Sequence, residues 1–363
     1  MSLTPASGFL VQTQAGDAKH GNFEVVVPDL IRGGLSHYWR NNGGDGQWVL
    51  PKAPVGTARY TSTSIAESDH KFVPGNEQGN LEVLARQEEP AGDRLDFAWR
   101  DNGGGWAWNG PFEVKLPHGV AAPALVAERA DNPPGPLRAV VPMESGGFAE
   151  FERVSGNWIE VARVDGDVLQ GVSFLLSFVG SEAWPSERDE YGDRVVAAVA
   201  ANGTLQLYAR QGYPSPNPRT WKGPYRFGEE ILPTQFGGPF RGRPSIIMSS
   251  FNQNVSADPP VISVDQVRYG NYELVVPMQP TGIAHMYKDN DVLQGPGNDP
   301  WANWSSYTTF GRGQYDEVSL IQSNYGDEHG HLEVAARRRD MAGFDFYWRD
   351  DDLTTWHGPN YIR

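Results

Sequence analysis

The chain has no cysteine among its 363 residues. That absence excludes a disulfide framework, thiolate metal sites, iron–sulfur clusters and a cysteine nucleophile. It leaves the redox compartment open. Positive charge is scarce as well: 30 Lys and Arg stand against 45 Asp and Glu, a net charge of −15. Nucleic acid and anionic membrane both demand a basic face, so neither is an expected partner. No apolar run approaches the roughly 18 residues of a membrane span, so membrane insertion is not expected. The opening Met1-Ser2-Leu3-Thr4-Pro5 has no basic region followed by an apolar one, the pattern of a secretory leader. This places the chain in the cytoplasm by default, and among secreted proteins if a leader has been trimmed. Long stretches of helical period are missing too.

What is plentiful is punctuation and aromatic bulk. Gly (42) and Pro (28) together make about 19 % of the chain, against a usual value of roughly 12 %. Apolar residues still make up 39 %, so the excess marks turns in a folded chain. The sequence also repeats itself. Gly21-Asn22-Phe23-Glu24-Val25-Val26-Val27-Pro28 recurs as Gly79-Asn80-Leu81-Glu82-Val83, as Gly270-Asn271-Tyr272-Glu273-Leu274-Val275-Val276-Pro277 and as Gly330-His331-Leu332-Glu333-Val334. Weaker copies start at Gly135 and Gly192. About a dozen residues after each start comes a second run, for example Leu35-Ser36-His37-Tyr38-Trp39-Arg40 and Phe344-Asp345-Phe346-Tyr347-Trp348-Arg349. A Gly/Asn/Asp turn and a tryptophan follow, three of them in Trp-x-Gly-Pro (Trp108, Trp221, Trp356). A further apolar run precedes each start, such as Gly8-Phe9-Leu10-Val11 and Pro244-Ser245-Ile246-Ile247-Met248.

Each unit therefore holds four short strand-like runs bounded by Gly, Asn, Asp and Pro. Six such units predict an all-β fold, a six-bladed β-propeller with four antiparallel strands per blade. The expected blades are 1–57, 58–115, 116–168, 169–240, 241–312 and 313–363, forming one domain. The longest spacing carries Pro214-Ser215-Pro216-Asn217-Pro218 and the stretch from Asn252 to Pro260, read as insertions in or after blade four. Six intact blades, or a first run that pairs into the last blade as a clasp, both fit the sequence.

One column has chemical content. Trp39, Trp99, Glu152, Ala209, Tyr287 and Trp348 are followed by Arg40, Arg100, Arg153, Arg210, Lys288 and Arg349, a cation in all six copies. An aromatic face beside a guanidinium suits a sugar, whose C–H groups lie on the ring while its hydroxyls accept in-plane N–H bonds. Repetition around a ring would add avidity. The same aromatics can equally be wedge filling, and the same cations can tie neighbouring blades or stack on a Trp.

The order apolar strand, x-Glu/Arg-Val-Val strand, aromatic-Trp-Arg-Asp and Gly-rich turn with Trp resembles the blade repeat of tectonin-like and fucose-binding propeller lectins. That resemblance covers all six units through short motifs. It implies a non-catalytic, carbohydrate-binding propeller with a glycan or small sugar as partner. In fucose lectins an Arg on the second strand and a Glu on the third bind the sugar beside an aromatic wall. Here the second-strand column reads Glu24, Glu82, Arg138, Val196, Glu273 and Glu333. Only Arg138 matches, with Glu150 as its third-strand partner and Trp158 downstream. The first candidate site is therefore Arg138, Glu150 and Trp158. The others are His37, Trp39 and Arg40; His285, Tyr287 and Lys288; Trp99 and Arg100; and Trp348 and Arg349.

Enzymatic and scaffold readings remain as alternatives. A propeller glycoside hydrolase or lyase would place one polar cluster at the channel mouth, yet no pair of carboxylates stands out among 45 acids. Arg349-Asp350-Asp351-Asp352-Leu353-Thr354-Thr355-Trp356 keeps part of a sialidase Asp box without its Ser and Gly. A protein-interaction scaffold would show an exposed apolar patch. His329-Gly330-His331 is the single close histidine pair, and no calcium loop of the EF-hand type accompanies the acidic run. No cofactor, metal or catalytic residue is expected.

Overall fold

The computed structural model describes residues 5–16, 21–68, 79–89, 93–102, 105–116, 121–128, 135–177, 193–210, 220–227, 240–251, 270–290, 304–325, 330–350 and 355–363. The two insertions expected around blade four, Asp351 and Asp352, and His20, His70, His118 and His329 lie outside the described residues.

The chain folds as six four-stranded antiparallel sheets, each built from consecutive strands. Blade 1 holds β1 (Leu10–Gly16), β2 (Gly21–Pro28), β3 (Leu35–Arg40) and β4 (Trp48–Val49). Blade 2 holds β5 (Tyr60–Glu67), β6 (Leu81–Gln87), β7 (Arg94–Arg100) and β8 (Trp108–Val114). Blade 3 comprises β9 (Ala124–Ala127), β10 (Leu137–Pro142), β11 (Phe148–Val154) and β12 (Asn157–Val164). Blade 4 comprises β13 (Leu169–Leu176), β14 (Arg194–Ala200), β15 (Leu205–Arg210) and β16 (Lys222–Phe227). Blade 5 consists of β17 (Ser245–Met248), β18 (Asn271–Pro277), β19 (Ile283–Asp289) and β20 (Thr308–Phe310). Blade 6 consists of β21 (Tyr315–Gln322), β22 (Leu332–Arg338), β23 (Phe344–Arg349) and β24 (His357–Ile362). This is the six-bladed propeller that the repeats predict, and among the described residues each blade is built from four consecutive strands, with no strand shared between the first and last blades.

Burial falls outward along each blade, which explains the sequence patterns. The second strands are buried on both faces and read as continuous apolar runs. The fourth strands face water and are mixed in character. The first strands surround the axis, each touching the first strand of the next blade, and β1 against β21 closes the ring. Serine hydroxyls join these inner strands. The amides of Leu125, Ile246, Leu320 and Leu10 donate to Ser64, Ser173, Ser245 and Ser319 at 2.9–3.1 Å. Each bond crosses from one blade to the next, so the small polar residues of these runs satisfy backbone that has no partner within its own sheet.

The axis itself is filled. Residues Pro5 to Phe9 cross it, exchanging backbone hydrogen bonds with Phe174 and Leu176 of blade 4 and Ile65 of blade 2. A Cβ on Gly8 would stand 2.0 Å from Ser319 Oγ, so any larger residue here would displace the hydroxyl that receives the Leu10 amide. The guanidinium of Arg243, 1 % exposed, lies 5.2 Å from the Phe9 ring and donates to the carbonyls of Thr63 and Pro123. It also pairs with Glu317 at 3.5 Å. Among the described residues, no helix is long and apolar enough to cross a membrane.

Candidate functional site

Side chains alternate across a strand, and this decides which candidate residues meet. Glu24 lies opposite Trp39, and Val26 opposite His37, in the pairing of β2 with β3. Glu24, His37 and Trp39 therefore share the face that meets blade 2, while Arg40 turns to the face that meets blade 6. Every adjacent aromatic–cation pair is split in this way. Trp39 goes with Arg100, Trp99 with Arg153, Tyr287 with Arg349 and Trp348 with Arg40. A site is thus a junction between blades, assembled from the second and third strands of one blade and the third and fourth strands of the next.

The register also moves one column. Arg194 pairs with Arg210 and Val195 with Ala209, so Val195, not Val196, occupies the position of Glu24. The junction of blades 4 and 5 is apolar, with Val195, Ala197 and Leu207 packed with Tyr272, Leu274 and Met286. Lys288 belongs to this junction, its ammonium 3.4 Å from the Asp289 carbonyl and Asn290 Oδ1. It is separated from His285 and Tyr287, with which the sequence grouped it.

The first candidate set is divided too. Arg138 and Glu150 are on the face toward blade 4, with Arg138 Nη1 3.6 Å from Glu150 Oε1. Trp158 pairs with Arg153 on the opposite face and meets Phe97 of blade 2, ring centroids 6.2 Å apart. The tryptophan that joins Glu150 is Trp221, whose Nε1 donates to Oε2 at 3.3 Å. Glu150 is fully buried and also receives Arg194 Nη1 at 2.9 Å and the two-pronged fork of Arg210 at 2.9 and 3.1 Å. Burial and the neighbouring guanidiniums pull Arg210 down to about 10.

Junctions alternate around the ring. The third-strand position is His37, Glu150 and His285 in blades 1, 3 and 5, but Phe97, Leu207 and Phe346 in blades 2, 4 and 6. The three Trp-x-Gly-Pro turns fall in blades 2, 4 and 6, each where the register of the fourth strand shifts. At Gly358 (φ +117°) a Cβ would come within 2.8 Å of the Phe346 carbonyl, so glycine is required at this bulge. The result is three polar junctions, 1/2, 3/4 and 5/6, separated by three richer in aromatic and aliphatic contacts. In two of the latter, the guanidiniums of Arg153 and Arg40 lie over Phe97 (4.5 Å) and Phe346 (6.0 Å). Trp99 there stacks on Phe112, and Trp348 on His357.

Junctions 1/2 and 5/6 use the same residue types and reach different states. In 1/2, Glu24 (1 % exposed) is bonded to His37 at 2.5 Å and to the fork of Arg100 at 2.9 and 3.3 Å. Burial alone would push the Glu24 carboxyl up, but His37 and Arg100 outweigh it and hold it below the ordinary range. Arg100 also bonds Asn102 and lies 4.8 Å from the Trp106 ring. In 5/6, Glu273 is held by Ser249 Oγ at 3.2 Å and His285 Nε2 at 2.8 Å. Arg349 stands near Phe251 and Trp356, 5.6 and 5.8 Å from their rings. It has no hydrogen bond or ion pair among the described residues, and its Nε and the Trp356 Nε1 are buried without acceptors. Burial draws the Arg349 guanidinium down from its ordinary range, while the charges of Glu273 and Tyr287 act on it in the other direction. The Tyr287 ring, 42 % exposed, supplies an open aromatic face beside it. Sequence reasoning missed Arg194 and Phe251 as junction residues, and marked Trp221 and Trp356 as turn tryptophans without assigning them to a site. The period-two alternation of Trp-Arg was the signal that would have found the cross-blade partners.

No protein-family model and no curated protein matches the sequence. Solved structures do match. The BP39L lectin from Burkholderia pseudomallei superposes with a TM-score of 0.56 at 16 % identity, covering 95 % of this chain and 82 % of that one. AofleA from Arthrobotrys oligospora gives 0.56 at 12 %, with 98 % and 85 % covered. The fucose-specific lectin from Aleuria aurantia gives 0.56 at 11 %, with 94 % and 91 % covered. At these identities the likeness is one of fold: the chain is a six-bladed β-propeller built like those of known lectins.

Proposed function

We propose that the protein is a non-catalytic carbohydrate-binding propeller whose ligand enters the cleft between blades, with junction 5/6 as its site. The observation that carries this reading is Arg349, a half-buried guanidinium without a hydrogen bond among the described residues, near two aromatic rings and beside the exposed ring of Tyr287. A buried donor without an acceptor costs about 1–3 kcal/mol, more when charged, and a ligand oxygen relieves that cost. The aromatic ring covers the apolar face of a pyranose while the guanidinium donates to its oxygens. The matching lectins, one of them fucose-specific by name, support the class of ligand. The filled axis favours a junction over a catalytic site at the channel, because Pro5 to Phe9 and Arg243 already occupy it.

The test is a glycan array read at protein densities that allow avidity, with Arg349→Ala and Tyr287→Ala alongside. Binding above background that Arg349→Ala removes and Tyr287→Ala weakens supports the proposal. Absence of binding to any glycan, or binding that both variants retain, overturns it.

A further inference from the structure

The three polar junctions place one guanidinium at the same point of the fold. Arg100, Arg210 and Arg349 all end the third strand of an even-numbered blade and face the preceding blade. At 1/2, Arg100 holds the carboxylate of Glu24 with both terminal nitrogens, at 2.9 and 3.3 Å. At 3/4, Arg210 holds the carboxylate of Glu150 in the same two-pronged manner, at 2.9 and 3.1 Å. At 5/6 no described residue supplies such a carboxylate. Glu273 is 1 % exposed and its oxygens are taken by Ser249 and His285. The acceptors of this junction are therefore spent inside blade 5, and its unused groups, Arg349 and the Trp356 indole N–H, are all donors.

From this we infer that junction 5/6 takes an acidic sugar, its carboxylate seated in the fork of Arg349 where Glu24 and Glu150 sit in the two closed junctions. This inference rests on the carbohydrate-binding reading and gives it a substrate class. Planar guanidinium and planar carboxylate match in geometry, and two parallel charge-assisted bonds outweigh the neutral bonds that a hydroxyl makes. The Phe251 and Trp356 rings lie 5.6 and 5.8 Å from the guanidinium carbon, and such packing lowers the rotamer entropy lost on binding. The sugar ring carrying the carboxylate then meets the open face of Tyr287.

The experiment compares glucuronate and N-acetylneuraminate with glucose and fucose, each displayed on a neoglycoprotein surface, for the full chain and for Arg349→Gln and Arg349→Lys. The acidic sugars should bind at least about tenfold more tightly than the neutral ones, the value of one charge-assisted bond. Arg349→Gln should erase that preference, and Arg349→Lys should keep only part of it, since an ammonium cannot form the fork. Neutral sugars bound as well as or better than acidic ones would overturn the acidic class and leave the carbohydrate reading intact. A preference for acidic sugars that survives Arg349→Gln would overturn the placement at this junction. Silence toward all four sugars would overturn the acidic class, while the glycan array decides the carbohydrate reading. Arg100→Gln, at a junction closed by its own Glu24, should leave the acidic-to-neutral ratio unchanged.

Discussion

Junctions 1/2 and 5/6 are built from the same parts: a buried Glu on the second strand, a His on the third, and from the next blade an Arg and a Trp. In one, the Arg grips the Glu; in the other, the Glu turns to Ser249 and His285 and the Arg is left near two rings. The first arrangement spends its polar groups on holding two blades together. The second leaves them for something else. Residue type alone does not separate a structural ion pair from an unpaired donor; the hydrogen-bond inventory does.

That contrast can be broken by mutation. Arg100→Ala should cost about 3–5 kcal/mol of stability, because Glu24 is left buried without its counter-ion. Thermal or denaturant unfolding checks this, and sugar binding should survive in whatever fraction stays folded. Arg349→Ala should do the reverse, changing stability by roughly 1 kcal/mol or less while removing binding.

A second contrast concerns pH. Glu24 is held low, so its contribution is present above the ordinary carboxylate range and is lost as pH falls through its folded value. Glu333, fully desolvated and bonded by the Ser323 hydroxyl, is pushed up to about 8. There the sign reverses: the unfolded chain gives up this proton near pH 4.5 and the folded chain holds it to about 8, so Glu333 costs stability increasingly across that window. Glu333→Gln should therefore raise the unfolding temperature at pH 8, flatten its fall between pH 4.5 and 8, and change nothing near pH 4. Unfolding scans across that range check the sign.

Smaller effects sharpen the same comparison. Tyr287→Ala should weaken sugar binding about three- to tenfold through loss of its ring face, with little change in stability, as titration of wild type and variant will show. Trp221→Phe removes one of the donors to Glu150. Since three guanidiniums remain around that carboxylate, the loss should be about 1 kcal/mol, with sugar binding unchanged.

Much of this architecture is visible in the sequence. The Gly-Asn-x-Glu starts, the aromatic-Arg runs and the Trp turns mark the strands because each has a fixed place relative to the axis. The pairing of Arg138 with Glu150 is also legible, as both lie on one face of blade 3. What misleads is adjacency. Trp39 and Arg40 look like one site when read along the chain, yet the pleat sends them to different junctions. Trp158 follows Glu150 closely and belongs to the other side of the sheet. Nor does the sequence distinguish Arg100 from Arg349, since both end a Trp-Arg run and both precede a Trp-x-Gly-Pro turn. Their difference lies in where a buried Glu across the junction directs its two oxygens.

The most direct measurement is a crystal structure of the protein soaked with a mixture of acidic and neutral monosaccharides. A sugar at junction 5/6, bonded to Arg349 and lying on Tyr287, with Glu24 and Glu150 still filling the forks of Arg100 and Arg210, is the predicted result. A sugar bound at junction 1/2 or on the axis, with Arg349 untouched, would contradict the account.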